Sequence, residues 1–243
     1  MRFLPVCRHL ILLAAVCFHR EAIAESAFPV VCTKAVPFAD RINLEHLKDM
    51  PVPEIASQGG LTFVNPPAPE LTVLTWRQFE WAHAKKYAEK TNFDIGMSGW
   101  FWRTRGHIPF LEQARPATRS FVRQLKPGMA MVRWLPLSIA PLLGEESNAV
   151  GAAMQNHQTW LQFYPGTRIT KRSATEMSLR MGRYEMTITL LAFGDYNHDG
   201  LDDLLVCYSQ GVTDGTFAYS GLVVLTRNSK TESLRVIKDF GTQ

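Results

Sequence analysis

The chain has 243 residues, 46% of them hydrophobic and 20% charged, and a formal net charge of +4. This balance excludes a disordered chain and suits one globular domain of ordinary size or two small ones. So small a charge excludes a partner bound chiefly by bulk positive charge, nucleic acid above all.

In chain order, residues 1–24 read as an export signal: basic Arg2 and Arg8, an apolar run from Leu10 to Phe18, then the small residues of Ala22-Ile23-Ala24 at cleavage-type spacing. The apolar run is well short of the ~18–20 residues that span a bilayer, so no membrane span is expected and the product is periplasmic or secreted. Cleavage there removes Arg2, Arg8, Arg20 and Glu21, three basic residues and one acidic, leaving +2. It also removes Cys7 and Cys17. Cys32 and Cys207 remain, either as a disulfide in an oxidising compartment or as two separately buried thiols.

Residues 25–70 read as a proline-rich arm or linker. A short helix fits Asn43 to Lys48, but Pro51, Pro53, Pro66, Pro67 and Pro69 with Gly59-Gly60 disfavour regular structure in the rest. A single domain follows over 71–243, helical over about 75–165 and β-meander over about 170–240. Thr75-Trp76-Arg77-Gln78 has the pattern of a capping box, opening a helix that is expected to reach about Lys90 with Trp76, Phe79, His83 and Tyr87 on one face. A second helix is expected from Pro116 to Lys126, where Pro127-Gly128 stops it. Residues 129–165 are apolar enough for core, with one helix in the Glu145 to Trp160 region.

Beyond Gly166 the period changes to two. Met177, Leu179 and Met181 alternate with polar residues, Gly182-Arg183 offers a tight turn, and Tyr184, Met186, Ile188 and Leu190 alternate again. With strands at Leu204 to Ser209, Phe217 to Arg227 and Leu234 to Ile237, the expected fold is α+β: a mostly helical or irregular first half packed on an antiparallel meander of about five strands.

Between two of those strands lies Phe193-Gly194-Asp195-Tyr196-Asn197-His198-Asp199-Gly200-Leu201-Asp202-Asp203. Side-chain oxygens at Asp195, Asn197, Asp199 and Asp203, with the carbonyl of Leu201 between, form a hard donor set suited to Ca²⁺, and the glycine allows a sharp turn around the ion. There is no thiolate for a softer metal, and His198 falls between ligand positions, where it points outward. An EF-hand is excluded, because its last ligand position is Val206 and both flanks read as strands. The bland alternative is an Asp/Asn/Gly-rich turn that holds no metal.

The loop with its Phe193-Gly194 lead and Asp203-Leu204 close resembles the FG-GAP or VCBS-type calcium repeat of integrin-α β-propellers. The resemblance covers about residues 184–227 and implies coordination by Asp195, Asn197, Asp199 and Asp203 side chains and the Leu201 carbonyl. One copy cannot build a propeller, so integrin-like recognition is not implied.

Other patterns are incomplete. Gly96-Met97-Ser98-Gly99 misses the spacing of a nucleophile elbow, and Glu80-Trp81-Ala82-His83 lacks the second copy that a di-iron bundle requires. Trp100, Trp102 and Arg103 could form a stacking platform for a sugar or peptide, or simply pack in the core. Arg115, Arg119, Arg123 and Lys126 would share one helical face and could meet an anionic envelope polymer, or be solvated. Two functions follow as expectations: a non-enzymatic exported module binding a protein or cell-envelope glycan, with a structural Ca²⁺; or a hydrolase with Glu80 and His83 as its candidates and calcium as scaffold.

Overall fold

The computed structural model describes residues 31–32, 41–141, 146–213, 215 and 218–242. The export signal expected at 1–24 lies outside the described residues. In chain order the elements are β1 (Val31–Cys32), α1 (Arg41–Asp49), α2 (Pro53–Ala56), β2 (Leu61–Val64), β3 (Leu71–Val73), α3 (Trp76–Ala84), β4 (Ala88–Glu89), α4 (Asn92–Arg105), α5 (His107–Gln113), α6 (Met129–Val132), a 3₁₀ turn (Leu137–Ile139), α7 (Glu146–Gln155), α8 (Trp160–Phe163), β5 (Arg168–Arg172), β6 (Glu176–Met181), β7 (Tyr184–Gly194), β8 (Asp203–Val212), β9 (Ala218–Thr226) and β10 (Arg235–Thr242). Among the described residues no helix is long and apolar enough to cross a membrane.

The proline-rich stretch is not an arm. It forms α2, β2 and β3, and β3-β2-β4 make a small antiparallel sheet. Pro53 sits in the first turn of α2, where its missing N–H costs nothing. Gly59 (φ 85°) and Gly60 (φ 95°) supply the left-handed backbone that turns the chain into β2. Leu61 and Phe63 then alternate inward, joining Val52, Ile55, Phe79 and Phe101 in one core.

The capping box forms as expected: Thr75 Oγ1 accepts the Gln78 N–H at 3.3 Å, and Gln78 Oε1 accepts the Thr75 N–H at 3.1 Å. Thr75→Ala is expected to lower stability by about 1 kcal/mol in denaturant unfolding, since one helix-start N–H loses its acceptor. The helix ends at Ala84, short of Lys90, because Lys86 turns left-handed (φ 60°) and Tyr87 N–H closes back on Ala82 O. Glu89 and Ala88 then pair with β2.

Residues 92–105 are α4, which carries Trp100, Trp102 and Arg103 on a helix. A second capping box starts it, in which Thr91 Oγ1 accepts Asp94 N–H at 3.1 Å. Asp94 also accepts Thr62 N–H at 2.9 Å, so the helix is tied to the adjoining strand.

The second half is a six-stranded antiparallel meander in the order β10-β9-β8-β7-β6-β5, with β1 added beside the far end of β7. The sixth strand is β5, whose basic, mostly exposed sequence carries no alternation to announce it. Both faces of the sheet are covered. Met177, Ile188, Val206 and Leu225 pack with Met131, Val132 and Trp160 on one side, while Leu191, Leu205, Leu222 and Val224 pack with Phe110 and Ala114 on the other. Double coverage explains why Leu204-Leu205-Val206 is a continuous apolar run.

Cys32 stands across from Ala192 on β7, and Cys207 stands across from Thr189, on β8. The strand β7 therefore lies between the two cysteine backbones. The Cys32 side chain is outside the described residues, and so is the expected bridge.

The expected helix at 116–126 does not form. The chain there is a strap, with Thr118 N–H and Arg119 N–H both reaching Gly200 O in the acidic loop, at 3.0 and 3.2 Å, before a turn closed by Leu125 N–H on Val122 O at 2.9 Å. Tertiary pairing overrides a weak local preference.

Candidate functional site

The acidic loop connects β7 to β8, and its two ends are fixed because Gly194 pairs with Asp203. The strap holds it from outside. Arg115 and Asp195 exchange two backbone hydrogen bonds of 2.9 and 2.8 Å, Thr118 Oγ1 donates to Gly200 O at 2.9 Å, and Asp202 N–H donates to Arg119 O at 2.9 Å. His198 (φ 63°) and Gly200 (φ 84°) make the tight bend.

Inside the bend the acidic side chains first satisfy the loop's own backbone. Asp195 Oδ1 accepts Asp199 N–H at 3.0 Å, and its Oδ2 accepts Gly200 N–H at 2.8 Å. Asp199 Oδ1 accepts Leu201 N–H at 2.8 Å, its Oδ2 accepts Asn197 Nδ2 at 2.9 Å, and Asn197 Oδ1 accepts Asp199 N–H at 3.1 Å. Asp195 is buried, while Asn197 and Asp199 are exposed at the rim. His198 is also exposed, as expected for a position between ligands, with Nε2 3.0 Å from Gln113 O.

Asp203 is different. It has no solvent exposure; Oδ2 accepts Tyr196 N–H at 2.9 Å, but Oδ1 is buried, and neither it nor the Thr226 hydroxyl beside it makes a well-formed hydrogen bond. Burial pushes its carboxyl up to about 6, and the Asp199 charge adds to this, against the pull of Thr226 and of the Tyr196 and Asn197 N–H groups. A buried carboxylate oxygen without a well-formed hydrogen bond costs free energy unless something positive meets it.

Asp202, the neighbouring acid, faces away from the loop interior. Alternation along a strand turns it to the opposite side from Asp203, where Ser120 Oγ donates to Oδ2 at 3.0 Å and Arg123 reaches both oxygens, Nε to Oδ2 at 2.5 Å and Nη2 to Oδ1 at 3.3 Å. The consecutive pair Asp202-Asp203 was the sequence signal for two carboxylates with separate partners. The strap residues Thr118, Ser120 and Arg123 carry no such signal, since nothing local marks them as loop partners.

The donor set at Asp195, Asn197, Asp199, Leu201 and Asp203 fits a hard cation in chemistry. Each hydrogen-bonded carboxylate oxygen retains a lone pair, and Asp203 Oδ1 has no well-formed hydrogen bond. Among the described residues, however, no three His, Cys, Asp or Glu side chains stand close enough to hold an ion as they are arranged. The bond from Asn197 Nδ2 to Asp199 Oδ2 joins two of the expected ligand groups to each other.

The other expected residues are placed as follows. Trp102 is half-buried, its ring 5.3 Å from Trp76 and 5.6 Å from Phe79 edge-on, so it belongs to the first-half core. The side chains of Trp100 and Arg103 lie outside the described residues. His83 packs edge-on to Phe79 and Phe63, at 4.4 and 5.5 Å, with Glu89 at 3.8 Å, whereas Glu80 faces an open groove of about 740 Å³ beside the loop, shared with Glu112, His198 and Lys238.

Burial holds the His83 imidazole below its ordinary value, against the opposing pull of Glu89. A depressed folded value means the unfolded chain binds the proton more readily, so stability is full above about pH 6.5 and falls as pH drops through the window below it. His83→Gln is expected to flatten the unfolding midpoint between pH 7 and 5.5; an unchanged slope would remove His83 as its source.

The chain matches no family model, no curated protein and no solved structure.

Proposed function

We propose that this is an exported, non-enzymatic calcium-binding module in which Asp195, Asn197, Asp199 and Asp203, with the Leu201 carbonyl, hold a structural Ca²⁺, and whose surface binds a protein or a cell-envelope glycan. The observation that carries the reading is the buried Oδ1 of Asp203, which lacks a well-formed hydrogen bond, at the base of a loop already rich in oxygen donors. Export is supported by the leader-like residues 1–24, and the metal by the resemblance to FG-GAP repeats.

A bound cation would supply positive charge to a group of acids that otherwise depends on backbone N–H donors. The chain's own residues would do the rest: the strap fixes the loop's outer backbone, and the paired strands at Gly194 and Asp203 fix its ends. Ca²⁺ is favoured over Mg²⁺ because the set is irregular and all-protein, whereas Mg²⁺ demands near-ideal octahedral geometry and gives up its water reluctantly.

Calorimetric titration tests this. The expected result is one site with a dissociation constant of about 10⁻⁴ to 10⁻³ M, the range of extracellular modules. It should be lost in Asp203→Asn and much weaker for MgCl₂. Absence of binding heat at several temperatures, together with unchanged amide spectra on adding CaCl₂, would overturn the metal assignment.

A further inference from the structure

On the far side of the strap from the acidic loop, the segment after Arg123 and the turn between β5 and β6 enclose a second recess, of about 640 Å³. That volume falls within the ~300–1,000 Å³ of small-molecule sites. Three cationic side chains, Arg123, Lys126 and Arg172, line it, and no acid does. Arg123 is committed to Asp202, but among the described residues neither Lys126 nor Arg172 has an ion-pair partner.

The polar equipment of the turn is oriented for an acceptor. Ser173 Oγ accepts the N–H groups of Thr175 and Glu176, at 3.3 and 3.0 Å, which leaves its own proton to donate. Glu176, the nearest acid in sequence, points elsewhere: Lys171 Nζ lies 3.7 Å from it, and Thr189 Oγ1 donates to it at 3.3 Å. The floor is apolar, made by Leu190 and Phe193, with the Arg123 guanidinium 5.7 Å over the Phe193 ring. Positive rim, hydroxyl donor and apolar floor define an amphiphile with an anionic head.

We propose that this recess binds an oxyanion carried on an apolar body, the head meeting Lys126, Arg172 and Ser173 and the body lying on Leu190 and Phe193. The cations are the specificity elements, because a neutral apolar molecule would leave both unpaired. The site is separate from the calcium loop. Arg123 stands between them, held by Asp202, and serves as a wall of the recess.

Heteronuclear NMR titration of the full chain with hexyl phosphate, hexanoate and hexanol tests the proposal. Saturable shifts confined to residues around 123–127, 172–175, 190 and 193 are expected for the two anions, with no saturation for hexanol at the same concentrations. The tighter of the two anions identifies the head group as phosphate or carboxylate. The double variant Lys126→Ala/Arg172→Ala, both exposed positions, should keep the wild-type melting temperature while weakening anion binding by about tenfold or more, the factor lost with a charge-assisted hydrogen bond. Hexanol binding as tightly as the anions, wild-type affinity in the folded double variant, or no saturation by either anion would each overturn it. Adding EDTA should leave this binding intact, so its failure is distinguishable from failure of the calcium reading.

Discussion

Arg123→Ala is expected to lower the unfolding free energy by about 3 kcal/mol, the lower end of the range for breaking a buried pair. Asp202 has no exposed surface, and Arg123 reaches both of its oxygens, so removing the guanidinium leaves Ser120 Oγ as the remaining side-chain donor to a buried charge. The lower end applies because the Arg123 side chain retains 24% exposure, through which water can enter. Urea unfolding reads the loss directly. The double change Arg123→Met/Asp202→Leu should recover most of it, because replacing both partners removes the buried charge together with its need for a partner. A single-variant loss below about 1 kcal/mol would place the pair with ordinary surface ion pairs and would mean that the strap is held chiefly by its other hydrogen bonds to Asp195, Gly200 and Asp202.

The contrast between the strap and the strands shows which parts of this fold are written locally. Met177, Leu179 and Met181, then Tyr184, Met186 and Ile188, carry a period of two, and they occupy β6 and β7 joined at Gly182, whose φ of 62° is the left-handed turn that its position suggests. Thr75 with Gln78 likewise specifies a helix start within four residues. Residues 116–126 have a proline at one end, a Pro-Gly at the other and basic residues spaced for a helix face, yet the N–H groups of Thr118 and Arg119 bond to a loop some 80 positions downstream. No local pattern encodes that choice. The strand β5 was hidden for a related reason, because Arg168 to Arg172 is held by pairing with β6 and not by an apolar face.

The prolines at 51–69 misled in the opposite direction. Proline density reads as irregular chain, but Pro53 only begins a helix, and the residues between the prolines, Ile55, Leu61 and Phe63, are fully buried. In the acidic loop the donor residues were legible from their two-residue spacing, whereas their present hydrogen bonds were not. Asp195 and Asp199 cap backbone N–H groups that turn chemistry alone would also satisfy. What turn chemistry does not account for is Asp203, carried inward by its strand with one oxygen lacking a well-formed hydrogen bond.

That distinction gives the second large expectation. With a dissociation constant of about 10⁻⁴ to 10⁻³ M, 10 mM CaCl₂ should stabilise the folded protein by roughly 1.4–2.7 kcal/mol through binding to the native state alone. For a chain of this size the melting temperature should rise by about 3–11 °C over the value in EDTA. Asp199→Ala should abolish the rise, and MgCl₂ should give little of it. Asp203→Asn separates the two accounts of the loop. If a cation normally meets Oδ1, the amide should lose the calcium response while melting no lower than wild type in EDTA, because a neutral group replaces an unpaired buried charge and can still accept the Tyr196 N–H. If the carboxylate instead serves the turn as it stands, wild type should melt alike in CaCl₂ and EDTA, and the amide should be the less stable protein in both.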